Sequence, residues 1–324
     1  MIVNKKNDSL LIHKWIPAVI NIETEPYSFQ KELEISDLWI YKKISTEEYL
    51  KREDSIILER YFKRQNGTAV LLFYKNQYYL ITARHVVDPF YKIADSNVIA
   101  QKIIFRRNIK DTAKVLGNPD SKNNFITNDS GYFSITVPIG SIYTWPYIFS
   151  SKLDDLALIN LSKTSDGGDF IKTLLDYGHK PISINDLDTS RLLAKNIITT
   201  IGFPNLSFSL FLPNMPLGFV SWNSTVFSLP SVTKGNYIKD IPGTNLFYCN
   251  NFNYFGFSGG AVICNDKLVG IIHGFDFPSD NGHDPRNANY FNSYSIFIKI
   301  KGVFNLLNSL ESKLNFADRM KPAL

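Results

Sequence analysis

Three short stretches carry side chains suited to acyl transfer. The first is Gly256-Phe257-Ser258-Gly259-Gly260-Ala261. Attack on a carbonyl needs an exposed hydroxyl, with backbone N–H groups nearby to hold the oxyanion that develops. Glycines on both sides of Ser258 let the backbone bend tightly and approach a substrate with no Cβ in the way. The second is Thr82-Ala83-Arg84-His85-Val86-Val87, which ends an apolar run and precedes Asp88-Pro89. An imidazole at a strand end is held firmly and still faces outward, as a general base must. The third is Asp154-Asp155-Leu156-Ala157-Leu158-Ile159. A carboxylate ahead of an apolar strand can accept an imidazole N–H, fix its tautomer and stabilise the imidazolium formed in catalysis. The Asp-Leu-Ala-Leu pattern selects Asp155 over Asp154. Taken singly, each stretch also reads as an ordinary turn or a satisfied histidine. Together, in the order His, Asp, Ser, they spell a nucleophile, a base and an orienting acid.

The elements that must position these residues are mostly strands. GTAVLLFY (67–74) and YYLITA (78–83), joined by a polar turn, predict a hairpin ending at His85. Further strand-like runs cover 97–107, 131–137 and 156–161, with a polar loop over 108–130. A second strand-rich set begins near 196 and includes 196–203, 218–229, 245–249, 260–264, 267–274 and 294–300. GVFNLLNSLESKL (302–314) reads as a C-terminal helix. Residues 1–63 differ: Ser45 with Glu48 matches a capping box, and the residues after it are helix-like. The expected organisation is therefore a helical N-terminal extension over 1–63, a first β unit over 64–180 carrying His85 and Asp155, and a second over 181–324 carrying Ser258.

With these motifs the chain resembles the trypsin-like (chymotrypsin-fold) serine peptidases, in their bacterial or intracellular branch with few disulfides. TARHV (82–86) resembles the family's histidine motif, DLAL (155–158) its aspartate motif and GFSGGAV (256–262) its serine motif. Ile201-Gly202-Phe203-Pro204 resembles a turn near the start of the second barrel. The resemblance covers about residues 64–315. It implies a mainly β fold of two antiparallel six-stranded barrels with a C-terminal helix. It also implies an oxyanion hole from the backbone N–H groups of Gly256 and Ser258. Members activated from a zymogen carry Asp before the nucleophile, where it pairs with a freed N-terminus; here that residue is Phe257, so no ion-pair switch is expected. Arg84, where the family has a small residue, is expected at the surface. The position that is acidic in Arg- or Lys-directed members is Phe252, which argues against a basic residue at the cleaved position. Phe252, Ile272 and His273 are the candidate pocket residues. His273 lies one residue beyond the place of a family histidine that reads Glu, so a structural role is expected for it.

Composition narrows the alternatives. Of 324 residues 44% are hydrophobic and 20% charged, which suits a packed globular chain. The net charge is +5, without a long Lys/Arg run, so no nucleic-acid partner is expected. Cys249 and Cys264 are the two cysteines; they are expected to be reduced and buried. His13, Lys14 and Pro17 interrupt the first apolar stretch, which makes a poor secretory signal. These features imply a cytoplasmic protein, or one exported by a route without an N-terminal signal peptide. No apolar run is long enough for a membrane span. A protein or peptide is the expected substrate. No cofactor is expected, and no metal cluster of convincing spacing is present. Gly256-x-Ser258-x-Gly260 also fits the nucleophile elbow of an α/β-hydrolase esterase, with His273 or His283 as base, but that fold needs a helix directly after the serine. An inactive binding module on the peptidase fold is the other alternative.

Overall fold

The structure is a computed structural model. It describes residues 11–27, 29–62, 65–89, 91–92, 99–106, 132–136, 146–151, 153–164, 167–204, 207–211, 219–223, 230–253, 255–276 and 294–319. The first half runs β1 (Val19–Tyr27), α1 (Phe29–Ile40), α2 (Thr46–Phe62), β2 (Gln65–Tyr74), β3 (Gln77–Ala83), α3 (Arg84–Val87), β4 (Ile99–Arg106), β5 (Tyr132–Thr136), β6 (Tyr147–Phe149), β7 (Leu156–Asn160), α4 (Gly167–Asp176) and β8 (Ile182–Ser183). The second half runs β9 (Ile197–Gly202), β10 (Ser207–Phe211), β11 (Phe219–Asn223), β12 (Ser231–Asp240), β13 (Leu246–Cys249), β14 (Ala261–Cys264), β15 (Lys267–Asp276), β16 (Tyr294–Lys299) and α5 (Lys301–Arg319). The expected loop over 108–130 lies outside the described residues, as does His283.

Local chemistry accounts for the hairpins. Lys75 and Asn76, both at positive φ, close β2 onto β3, with Tyr74 opposite Gln77. Asn265 and Asp266 do the same between β14 and β15, with Cys264 opposite Lys267. Two left-handed residues in a two-residue loop match the twist of the strands they join. At the start of α2, the Ser45 hydroxyl accepts the Glu48 N–H at 3.1 Å, the first half of the capping box.

The second half closes into a six-stranded barrel, β12-β13-β16-β15-β14-β9, and β10 pairs with β11 apart from it. In the first half a second closed barrel is not shown. Among the described residues that half is an open eight-stranded sheet, β5-β4-β1-β2-β3-β7-β6, with β8 parallel to β2. The connections before and after β5 lie outside the described residues, and among those described no pairing joins the two ends.

The N-terminal region also differs from a purely helical extension. β1 lies within the first sheet, antiparallel to both β2 and β4. Its residues Val19, Ile20, Asn21, Ile22, Glu23 and Thr24 are all buried, so both faces are covered. Asn21, Glu23 and Thr24 interrupt the apolar pattern that would have marked such a strand.

One apolar cluster spans the two halves. Trp15, Val70, Leu72, Ile81 and Leu158 meet Ile201, Ala261, Ile271 and Ile298, and α5 adds Val303, Leu306 and Leu307. A second cluster fills the barrel around Phe247, Phe257, Val262, Ile272 and Phe297. No helix among the described residues is long and apolar enough to cross a membrane. Cys249 and Cys264 are free and buried, and burial pushes both thiols up from their ordinary pKa. Neither is expected to react with Ellman's reagent in the folded protein, and both should titrate after denaturation.

Candidate active site

β3 ends at Ala83, and the single turn of α3 carries His85 just beyond it. The His85 backbone N–H donates to Asp155 Oδ1 at 2.9 Å, and its Nδ1 lies 2.7 Å from Asp155 Oδ2. A carboxylate can only accept, so His85 carries its proton on Nδ1 and leaves Nε2 as an acceptor. Asp155 stands at φ +48° directly before β7, and its carbonyl accepts the Arg84 N–H at 2.8 Å. The two segments are thus pinned to each other by backbone and side chain.

Asp155 is 1% exposed. Burial pushes its carboxyl up, but hydrogen bonds from His273 and His85 outweigh that and hold it well below the usual carboxylate range. Asp154 plays a different part, accepting from Asn245 Nδ2 at 3.0 Å and from the Ser151 hydroxyl at 3.2 Å. Tyr91 is buried beside the site. Burial first, then the charge of Asp155 and a hydrogen bond to it, push the Tyr91 phenol up.

Arg84 is not a surface residue. Its side chain is 15% exposed, pairs with Asp88 at 2.9 Å and donates to the Ser150 carbonyl at 3.0 Å. Its guanidinium lies 4.5 Å from the centre of the Phe149 ring and 5.2 Å from that of Tyr91. It braces the turn on which His85 sits.

Ser258 comes from the other half, on the loop leading into β14. Gly256 at φ +91° and Gly259 at φ +88° give that loop its bend, in a region side chains rarely adopt. Thr68 of β2 docks the loop on the first sheet. Its N–H donates to the Ser258 carbonyl at 2.8 Å and its hydroxyl to the Gly256 carbonyl at 2.8 Å; the same hydroxyl accepts the Phe203 N–H at 3.0 Å. Nothing in the local sequence around Thr68 signals this. A Cβ on Gly259 would fall 2.0 Å from the Thr68 carbonyl oxygen and 2.2 Å from the Thr82 hydroxyl. Gly259→Ala is therefore expected to cost about 3 kcal/mol or more, from strain and clash together. Chemical denaturation of both proteins measures it.

Ser258 Oγ donates to the His273 carbonyl at 3.2 Å, and among the described residues no hydrogen bond joins it to His85. Among those residues the N–H groups of Gly256 and Ser258 also donate to no protein acceptor, while the Gly259 N–H goes to the Ile272 carbonyl. Phe257 fills the barrel interior against Gly202.

The candidate pocket residues stand in different settings. Phe252 is 40% exposed, and Ile272 is buried inside the barrel. His273 turns to Asp155, with Nδ1 2.5 Å from Oδ2. His85, Asp155 and His273 are the one His/Asp cluster among the described residues with a possible metal-ligand composition. Two ligands on one tetrahedral ion stand about 3.3 Å apart, given metal–ligand bonds near 2 Å. The separations here, 2.7 and 2.5 Å, are those of hydrogen bonds.

No family model and no curated protein matches the chain. Among solved structures, the chain is similar to a thermostable serine protease, AL20, from an extremophilic microorganism. The TM-score is 0.47 at 11% identity, over 91% of this chain and 97% of that one. It is also similar to the inactive form of a serine-to-alanine mutant of Rv3671c from M. tuberculosis. There the TM-score is 0.42 at 10% identity, over 98% of this chain and 94% of that one. Neither likeness is close enough to assign an activity. In its own residues the chain resembles the trypsin-like serine peptidases: a mainly β fold, a closed six-stranded barrel presenting Ser258, and His85 held on Asp155 by the neighbouring sheet.

Proposed function

We propose that this chain is a serine endopeptidase, cleaving peptide bonds through an acyl-enzyme on Ser258. His85 Nε2 takes the proton of the Ser258 hydroxyl as Oγ attacks the scissile carbonyl, then gives it to the leaving amine. Asp155 holds the imidazole and stabilises its charge. The N–H groups of Gly256 and Ser258 receive the oxyanion. Water repeats the sequence to release the acid. The observation that carries this reading is the double attachment of His85 to Asp155, through its backbone N–H and its Nδ1. That attachment leaves Nε2 as the free base. Phe257 in the barrel interior fits a site that needs no ion pair to form. Two free, buried thiols suit a reducing compartment such as the cytoplasm.

Labelling by a fluorophosphonate probe tests the proposal. Wild type should take up one equivalent, at Ser258, and Ser258→Ala none. A folded wild type that stays unlabelled would sink it. One observation favours a second reading, an inactive or occluded module: the Ser258 hydroxyl rests on the His273 carbonyl and not on His85. The esterase reading loses its fold, because strand β14 follows Ser258 where an α/β-hydrolase places a helix.

A further inference from the structure

We propose that His273 is a positioning residue for the triad, fixing Asp155 through a second imidazole hydrogen bond; the proposal rests on the peptidase reading above. Along β15, Ile272 pairs with Phe297 and Gly274 with Ile296, so His273 is the extra residue of a β-bulge. A bulge re-aims its side chain out of the regular alternation. Here it sends the ring toward Asp155 Oδ2, at 2.5 Å, while the carbonyl of the same residue receives the Ser258 hydroxyl at 3.2 Å. One residue therefore touches two members of the triad.

The rings of His85 and His273 lie edge to face with centres 5.9 Å apart, both on the same carboxylate oxygen. Since Asp155 only accepts, both Nδ1 atoms are donors. The His85 backbone N–H already occupies Oδ1. With His273 in place the carboxylate has no freedom to rotate, and Oδ2 divides its charge between two imidazoles. The titratable or charged groups around it are His85, Tyr91 and the Arg84–Asp88 pair from the first half, and His273 from the barrel.

Loss of His273 should have two effects. An unbraced Oδ2 lets His85 drift, and a misplacement of this kind slows chemistry by about 10²-fold. The Oδ2 charge then serves His85 alone, which favours its imidazolium and moves the acid limb of activity to higher pH. Asn places an amide N–H where Nδ1 stood, so it restores the brace without a titrating ring.

The experiment compares wild type, His273→Ala and His273→Asn by the rate of fluorophosphonate labelling at Ser258 across pH, with and without EDTA. The expected result is a rate about 10²-fold lower in His273→Ala with its acid limb moved up, near wild-type behaviour in His273→Asn, and no effect of EDTA. A His273→Ala rate and profile matching wild type would overturn the proposal. So would equal losses in the Ala and Asn variants, which mark packing alone, or a rate that EDTA changes, which marks a metal. Low-field proton NMR of Ser258→Ala protein gives a readout that needs no activity. Two resonances from carboxylate-bound imidazoles are expected beside that of His179 on the Pro17 carbonyl, and one of the two is lost when His273→Asn is added. A spectrum that His273→Asn leaves without the loss of a resonance overturns the proposal whatever the labelling shows. Loss of one resonance in His273→Asn with no labelling of wild type overturns the peptidase reading alone.

Discussion

Replacing either Ser258 or His85 by Ala is expected to lower turnover of a fluorogenic peptide by about 10⁶-fold, and replacing both should cost little more. The reason is that the two act as one unit. Without His85 the Ser258 hydroxyl keeps its proton and is a poor nucleophile. Without Ser258 the imidazole has no oxygen to activate and can only assist water. What remains in each variant is binding and whatever the N–H groups of Gly256 and Ser258 contribute to an oxyanion. Steady-state kinetics on both single variants and the double variant check this. Losses that multiply in the double variant would show that the two residues work independently. For this expectation to hold, the Ser258 hydroxyl must leave the His273 carbonyl by a rotation about one side-chain bond.

Asp155→Asn is expected to reduce turnover by about 10⁴-fold with the fold retained. The geometry fixes how the amide must sit. Its oxygen is needed at Oδ1, where the His85 backbone N–H donates at 2.9 Å. Its NH₂ then takes the place of Oδ2, facing the Nδ1 atoms of both His85 and His273. Both rings must become acceptors at Nδ1, so His85 carries its proton on Nε2 and cannot receive another from Ser258. Asp154→Asn, on a residue bonded to Asn245 and Ser151, should leave turnover nearly unchanged. The Asp155 substitution also has a signature in stability. The folded-state pKa of Asp155 is depressed, so its charged form adds stability above the unfolded value, about 3.9, and that stability is lost as pH falls toward the folded value. The Asn variant lacks this contribution. Its denaturation midpoint should lie below wild type at neutral pH, and the gap should close on acidification below about pH 4.

His85, Asp155 and Ser258 stand out in the sequence as candidate site residues because each sits beside a short apolar run that betrays its strand, and because glycines flank Ser258 on both sides. The two hairpin turns and the cap of α2 are legible for the same local reason. What cannot be read depends on contacts between distant segments. β1 hides because Asn21, Glu23 and Thr24 are buried with their apolar neighbours, which erases the alternation of a half-buried strand. The partnership of His273 with Asp155 depends on a bulge, and a one-residue register shift leaves no mark in composition. Its structural role can be anticipated; its partner cannot. Arg84 reads as a surface residue because its aromatic supports, Phe149 and Tyr91, lie elsewhere in the chain. Thr68 reads as any strand threonine, since Gly256, Ser258 and Phe203, which it holds, belong to the other half.

The place of β1 bears on how much of the leading chain the fold can lose. The strand is hydrogen-bonded on both edges, to β2 and to β4, and Trp15 just ahead of it donates to Asp266 in the turn between β14 and β15 at 2.7 Å. Trimming the chain past Val19 would therefore pull an interior strand out of the sheet that carries His85, and cut a tie to the barrel that carries Ser258. Loss of the chain through β1 is therefore expected to destabilise both halves of the fold, and chemical denaturation of a truncation lacking residues up to Tyr27 measures it against the full chain.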